Sequence, residues 1–126
     1  MEGDWYQIDL RNKELYFPRV DRWVMDTFRL SLQETMLYGL ILMKGFMVWN
    51  YEYIAQVLAI SKPTVFRLVD GLVKKKVIEK RVKYYKGNVQ RSILVGLYTI
   101  EGHRPQAEIE ELFIEGEKKL NKYYKT

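Results

Sequence analysis

Between Ser61 and Arg91 the chain carries ten cations (Lys62, Arg67, Lys74, Lys75, Lys76, Lys80, Arg81, Lys83, Lys86 and Arg91) and two acids, Asp70 and Glu79. Ten against two leaves a local balance of +8, whereas the whole chain of 126 residues is only +5, so everything outside the stretch carries a net −3. Ammonium and guanidinium groups at this density are suited to replacing the counterions of a polyanion. The remaining polar groups sharpen that chemistry. Lys62, Pro63, Thr64, Phe66, Arg67 and Asp70 fall on the outward side of a helical pattern that Ser61 opens. A guanidinium such as that of Arg67 can meet guanine O6 and N7, and Phe66 or Pro63 can touch a thymine methyl. Ser61, Thr64 and the free N–H groups at a helix start can hold phosphates. On a following two-stranded ribbon, Lys83, Lys86, Asn88 and Arg91 are placed to meet a phosphate backbone or enter a minor groove, while Lys74 and Lys75 add long-range attraction. The expectation is that these cations converge on one surface.

The elements that must position these groups are legible in the periodicity. Ser31 and Glu34 form a Ser-x-x-Glu capping box that opens a helix, with Leu32, Met36, Leu40 and Met43 at helical spacing and Gly45 placed to stop it. Phe46 to Trp49 reads as a short apolar strand, and Asn50 as the cap of a helix from Tyr51 to Leu58. After Ala59-Ile60, Ser61 caps a third helix, in which Pro63 is tolerated because the first turn has no intrahelical N–H partners. Val65, Leu68, Val69 and Leu72 then mark its buried face. From Val77 the period changes to two: Ile78, Val82 and Tyr84 alternate with Glu79, Arg81 and Lys83, Gly87-Asn88 turns the chain, and Val89, Ile93, Val95 and Leu97 share one side of the return strand. A last helix is expected from Pro105 to about Tyr123, with Ile109, Leu112, Phe113, Gly116 and Leu120 as its apolar stripe. That stripe either covers the domain's own core or pairs with a second copy. Residues 1–30 are expected to form an aromatic lead-in packed on the domain, with a short strand at Trp5–Ile8 and a helix from Val20 to Phe28.

The run from Ile54 to Val69 resembles the helix-turn-helix of bacterial and phage winged-helix DNA-binding proteins, and the hairpin after it resembles their wing. The resemblance covers residues 31–100 and implies a mainly α fold with a small β-hairpin (α+β), flanked by the lead-in at 1–30 and an amphipathic helix at 104–124. Two positions depart from that family's pattern: Ala59 replaces the turn glycine, and Lys76 replaces the glycine that ends the second helix of the motif. Either substitution costs about 1–2 kcal/mol where the backbone is left-handed. The resemblance implies a double-stranded DNA partner, no cofactor and no metal, and a homodimer built through the last helix and the lead-in. It also leaves three function classes open. The first is a small transcriptional regulator. The second is a plasmid or phage replication initiator or replisome organiser. Tyr16-Phe17-Pro18-Arg19-Val20 and the run Leu30-Ser31-Leu32-Gln33-Glu34 through Tyr38 are similar to the lead-in of that family. The third is a winged helix whose wing binds protein.

Several residues have plainer readings. Lys74-Lys75-Lys76 is an ordinary solvated helix end, Phe66 a half-buried core ring, Tyr84 and Tyr85 sheet-packing residues, and Arg67 a partner for Asp70 at i+3. Catalytic sets are missing: His103 is the lone histidine, in a Gly102-His103-Arg104-Pro105 loop, and two of the three serines are explained as caps. Glu108, Glu111 and Glu115 line one side of a helix without histidines, which a solvated face explains. The chain has no cysteine, so disulfides and thiolate metal sites are excluded. Met36 to Trp49 is broken by Lys44 and is shorter than the roughly 20 residues a membrane span needs. Together with a Met1-Glu2-Gly3-Asp4 start that lacks the pattern of a signal peptide, this leads to the expectation of a cytoplasmic protein that is not an enzyme and has no membrane partner.

Overall fold

The computed structural model describes residues 5–10, 13–18, 22–99 and 101–124, with side chains from Arg22 onward. An antiparallel hairpin of β1 (Trp5–Leu10) and β2 (Lys13–Pro18) leads into α1 (Arg22–Phe28). The Val20 start expected for that helix, and the aromatic side chains of residues 1–21 expected to pack on the domain, lie outside the described residues.

α2 (Leu32–Leu42) begins at Ser31, and the capping box is complete. Ser31 Oγ accepts from Glu34 N at 3.1 Å, and Glu34 Oε1 accepts from Ser31 N at 2.8 Å. A turn at Gly45, whose φ of +84° favours glycine, leads to the short β3 (Phe46–Met47). α3 (Tyr51–Leu58) is capped by Asn50 Oδ1, which accepts from Tyr53 N at 2.8 Å. α4 (Lys62–Lys74) is capped by Ser61, with Pro63 in its first turn. β4 (Ile78–Tyr85) and β5 (Val89–Gly96) make a ribbon closed by Lys86-Gly87-Asn88, where Gly87 and Asn88 take φ of +80° and +61°. Two-residue strands β6 (Tyr98–Thr99) and β7 (Gly102–His103) pair before α5 (Gln106–Tyr123), so His103 lies in a strand pair and not in a free loop.

The three-stranded sheet has the order β3-β5-β4, all antiparallel. Its middle strand is covered on both faces, which is why Ile93, Leu94 and Val95 are buried in succession. Leu94, Ile78 and Met47 join Leu37, Ile41, Ile54, Leu58, Val65, Leu68 and Leu72 in the core under α2, α3 and α4. Ile93, Val95, Leu97 and Tyr85 meet Ile109, Phe113 and Leu120 of α5 in a second core. The result is three layers: helices α2, α3 and α4 with Val24 of α1 in the same core, then the sheet, then α5. The stripe of α5 therefore covers the protein's own sheet. Gly116 lies so close to it that a Cβ there would sit 2.7 Å from Ile93 Cγ2.

One buried polar link ties the layers. The Tyr38 hydroxyl donates to Tyr98 O at 3.0 Å and accepts from Tyr98 N at 3.1 Å, joining α2 to β6. Burial pushes the Tyr38 phenol up to about 12, so it stays protonated and can donate. The fold of the described residues is of mixed α+β type, five helices with small antiparallel sheets. Among the described residues no helix is long and apolar enough to cross a membrane.

Candidate nucleic-acid interface

Helices α3 and α4 are joined by Ala59-Ile60-Ser61, and the sharpness of that turn has a specific backbone cause. Ala59 has φ +56° and ψ +44°, Ile60 N donates to Ala55 O at 3.0 Å, and Ala59 N donates to Gln56 O at 3.3 Å. This is a Schellman motif, in which a left-handed residue lets the chain satisfy the last carbonyls of the helix. The same pattern ends α4. Lys76 has φ +61°, Val77 N donates to Leu72 O at 3.2 Å, and Lys76 N donates to Val73 O at 3.0 Å. The two positions at which the sequence departs from a glycine pattern are thus both left-handed.

With Val65, Leu68, Val69 and Leu72 turned into the core, α4 leaves a solvent face of Lys62, Pro63, Phe66, Arg67 and Asp70. Arg67 is exposed and makes no ion pair with Asp70 or any other described residue. Phe66 is 50% exposed, its ring edge-on to Tyr51 with centroids 4.6 Å apart. Ser61 Oγ accepts from Thr64 N at 3.3 Å and lies 2.7 Å from Thr64 Oγ1, so both hydroxyls already serve the helix cap. Lys62 reaches back to Glu52 at 3.3 Å, a pair exposed on both sides.

The ribbon divides its cations between two faces, and this splits the single surface that the sequence led one to expect. Along β4, Arg81, Lys83 and Tyr85 alternate onto the face that α5 covers. Arg81 makes a two-pronged contact with Glu110, bonds Glu79 at 3.0 Å, and lies 4.0 Å over the Phe113 ring. Lys83 pairs with Glu117 at 3.0 Å, and the Tyr85 hydroxyl donates to Asn121 Oδ1 at 2.8 Å. Arg91 stands opposite Lys83 in the register, and its Nε donates to the Tyr124 hydroxyl at 2.8 Å. The guanidinium of Arg81 is held charged first by its hydrogen bonds to Glu110, which raise its pKa, and Glu110 is lowered by the same contact. Lys80 lies on the opposite face, and Lys86 and Asn88 are exposed at the tip. Tyr84 is 71% exposed, whereas the alternation expected it on the core side; Tyr85 takes that place against α5.

Lys75 is committed elsewhere. Its Nζ donates to Glu34 Oε1 at 2.6 Å and to Arg29 O at 2.8 Å, fastening the end of α4 to the start of α2. Burial pushes the Glu34 carboxyl up, but Lys75 and the Ser31 N–H outweigh it and hold the pKa below the usual carboxylate value. That Glu34, Glu52, Glu110 and Glu117 pair with the basic stretch was not read from the sequence. The −3 outside the stretch was their one signal.

Between α3, α4 and β5 lies an open cleft of about 360 Å³, lined by Trp49, Asn50, Tyr51, Glu52, Lys62, Phe66, Gln90, Arg91 and Ser92. Burial raises the Tyr51 phenol, which faces Ser92 without making a hydrogen bond of good geometry. Among the described residues no three His, Cys, Asp or Glu are grouped to hold a metal.

No protein-family model matches the chain, and no curated protein matches it in sequence. Among solved structures it is similar to a protein of Methanosarcina mazei Go1 called a possible transcriptional regulator, with a TM-score of 0.51. The two are 14% identical, and the match covers 94% of this chain and 90% of the other. At that identity the likeness is one of fold.

Proposed function

We propose that residues 31–100 form a winged helix-turn-helix that binds double-stranded DNA, with the chain acting as a small transcriptional regulator. In this reading α4 enters the major groove and the β4–β5 ribbon is the wing. The observation that carries it is the exposed face of α4: Lys62, Pro63, Phe66 and Arg67 stand out from the core beside a basic hairpin, and Arg67 is in no ion pair among the described residues. A helix of this width with an unpaired arginine on its open side has the shape and donors for base-edge readout. The order helix, strand, helix, helix, two-stranded ribbon supports the same reading, as does the name of the archaeal structural neighbour.

Within the proposal Arg67 reads a base edge, Phe66 or Pro63 contacts a thymine methyl, and Ser61 and Thr64 present the capped helix start to a phosphate. Lys86 and Asn88 meet the backbone from the tip of the wing. Lys83 and Arg91 join them only by exchanging Glu117 and Tyr124 for phosphate. Dimerisation, where it occurs through α5, uses the helix's outer face, on which Ile114 is half exposed, since the inner stripe is occupied. The segment similar to replication initiators, Leu30-Ser31 with Glu34, has a structural task as cap and as partner of Lys75, so it does not favour that class.

The test is selection of bound duplexes from a random pool. The wild-type protein should enrich a defined site. Arg67→Ala should relax preference at one position by about 1–3 kcal/mol while leaving the rest of the site intact. An Arg67→Ala protein with unchanged preference at every position removes the assignment.

A further inference from the structure

The cleft between α3, α4 and β5 is more than the gap between a helix and a hairpin. Trp49, Tyr51 and Phe66 give it aromatic walls, Lys62 supplies a cation, Asn50, Gln90 and Ser92 supply amide and hydroxyl groups, and Arg91 is among the lining residues. Trp49 and Phe66 are 38% and 50% exposed, although rings of this size are normally sunk in a core. They are braced rather than buried. Phe66 stands edge-on to Tyr51 with centroids 4.6 Å apart, and Trp49 edge-on to Tyr53 at 4.8 Å. An edge-to-face pair leaves the face of one ring uncovered, which is the surface that a third flat ring needs.

We propose that this cleft binds a nucleotide, the base stacked on the aromatic walls and the phosphate held by Lys62. Aromatic faces and a cation within one small volume are the combination that unstacked nucleotides require. Asn50 Nδ2 and the Gln90 amide make no side-chain hydrogen bond among the described residues, which leaves them able to meet a base edge. Glu52 opposes an anion here, but its contact with Lys62 is exposed on both sides and is weak enough to be exchanged. Arg91 keeps its Nε on Tyr124 and bonds Gln90 O through Nη1, which fixes the guanidinium at the rim. The cleft shares Lys62 and Phe66 with the proposed reading face of α4. The inference therefore rests on that reading, and it assigns this point to a nucleotide outside the duplex stack: the unpaired end of a strand or a free mononucleotide.

The test measures anisotropy of three labelled probes of one sequence: a blunt duplex, the same duplex with a three-nucleotide overhang, and the single strand. Deoxynucleoside monophosphate serves as a competitor. The expected result is that the overhang binds roughly five- to a hundredfold more tightly than the blunt duplex, the gain from stacking one base. Trp49→Ala should remove that gain and leave blunt-duplex affinity unchanged, and Trp49→Phe should keep most of it. Gln90→Ala should alter which overhang base is preferred, and it keeps the test decisive should Trp49→Ala fail to fold. Competition by the free monophosphate against the overhang marks a mononucleotide as the source; its failure marks the strand. Equal affinity for blunt and overhang probes overturns the nucleotide site while the duplex reading survives. Binding of overhang and single strand without any blunt-duplex binding does the reverse.

Discussion

Ala59 and Lys76 hold left-handed backbone at the two turns that set the pose of α4, and neither side chain contributes a contact that explains its presence there. A Cβ in this region costs about 1–2 kcal/mol, part of which glycine returns as extra entropy of the unfolded chain. Ala59→Gly and Lys76→Gly are each expected to stabilise the protein by about 0.5–1 kcal/mol, read as a higher urea midpoint with an unchanged slope. Asn88, also left-handed, sits at the tip beside Gly87, and asparagine tolerates that conformation with less strain. Glu34 is a residue of the opposite kind, saturated with partners. Its pKa is depressed in the folded protein, so the stability it adds is fully present above the unfolded carboxylate pKa. That contribution is lost as the pH falls through the lower folded value. Urea midpoints taken from pH 6 down to about pH 2.5 should therefore decline more steeply for the wild type than for Glu34→Gln. The variant itself should be weaker by about 1–3 kcal/mol at pH 7, since Lys75 loses its charged partner. Parallel slopes would remove Glu34 as the source.

At the scale of elements, α5 and the ribbon show where period and charge inform and where they mislead. The start and end of α3, α4 and α5 were legible because caps and turn residues act locally: Asn50, Ser61 and Pro105 sit at the three starts. The two faces of β4 were not. Charged Arg81 and Lys83 read as solvent-facing, yet α5 brings Glu110 and Glu117 to meet them, a pairing between residues 29 and 34 positions apart that no local pattern announces. The β6–β7 pair was missed for the related reason that two-residue strands owe their existence to their partners. Of the candidate site, the outward face of α4 was legible from the spacing of its buried residues; the aromatic cleft was not, because it is assembled from α3, α4 and β5 together. The contact between α5 and the sheet is close enough to test directly. Gly116→Ala gains helix propensity of up to about 1 kcal/mol but drives a methyl against Ile93 Cγ2 at 2.7 Å. Overpacking costs about 1–3 kcal/mol, so the net effect is expected to be destabilising. In an Ile93→Ala background the same change should become neutral or favourable, because the obstructing atom is gone. A double-mutant cycle with coupling near zero would contradict the close approach.

For the molecule as a whole, the ion pairs decide how much of the +8 stretch remains available to a partner. Arg81, Lys83 and Lys75 carry acids from α5 and α2, and Lys62 carries Glu52 in an exposed pair. Arg67, Lys74, Lys76, Lys80 and Lys86 are in no ion pair among the described residues. Duplex binding by a protein that neutralises Z phosphates falls with salt at a log–log slope of about −0.9Z, so the slope counts cations that reach phosphate and disregards those that do not. Under the proposed function, Lys86→Ala at the ribbon tip should make the slope shallower by about one and weaken all sequences alike. Lys83→Ala should move the slope by much less, because the ammonium already has Glu117 at 3.0 Å, and should act chiefly on stability. Titrations of both variants between about 50 and 200 mM salt separate the two cases. Equal slope changes would mean that the α5 acids release their lysines on binding and that the ribbon presents both faces to the duplex. No slope change from Lys86→Ala would take the ribbon tip out of the interface and leave α4 to bind alone.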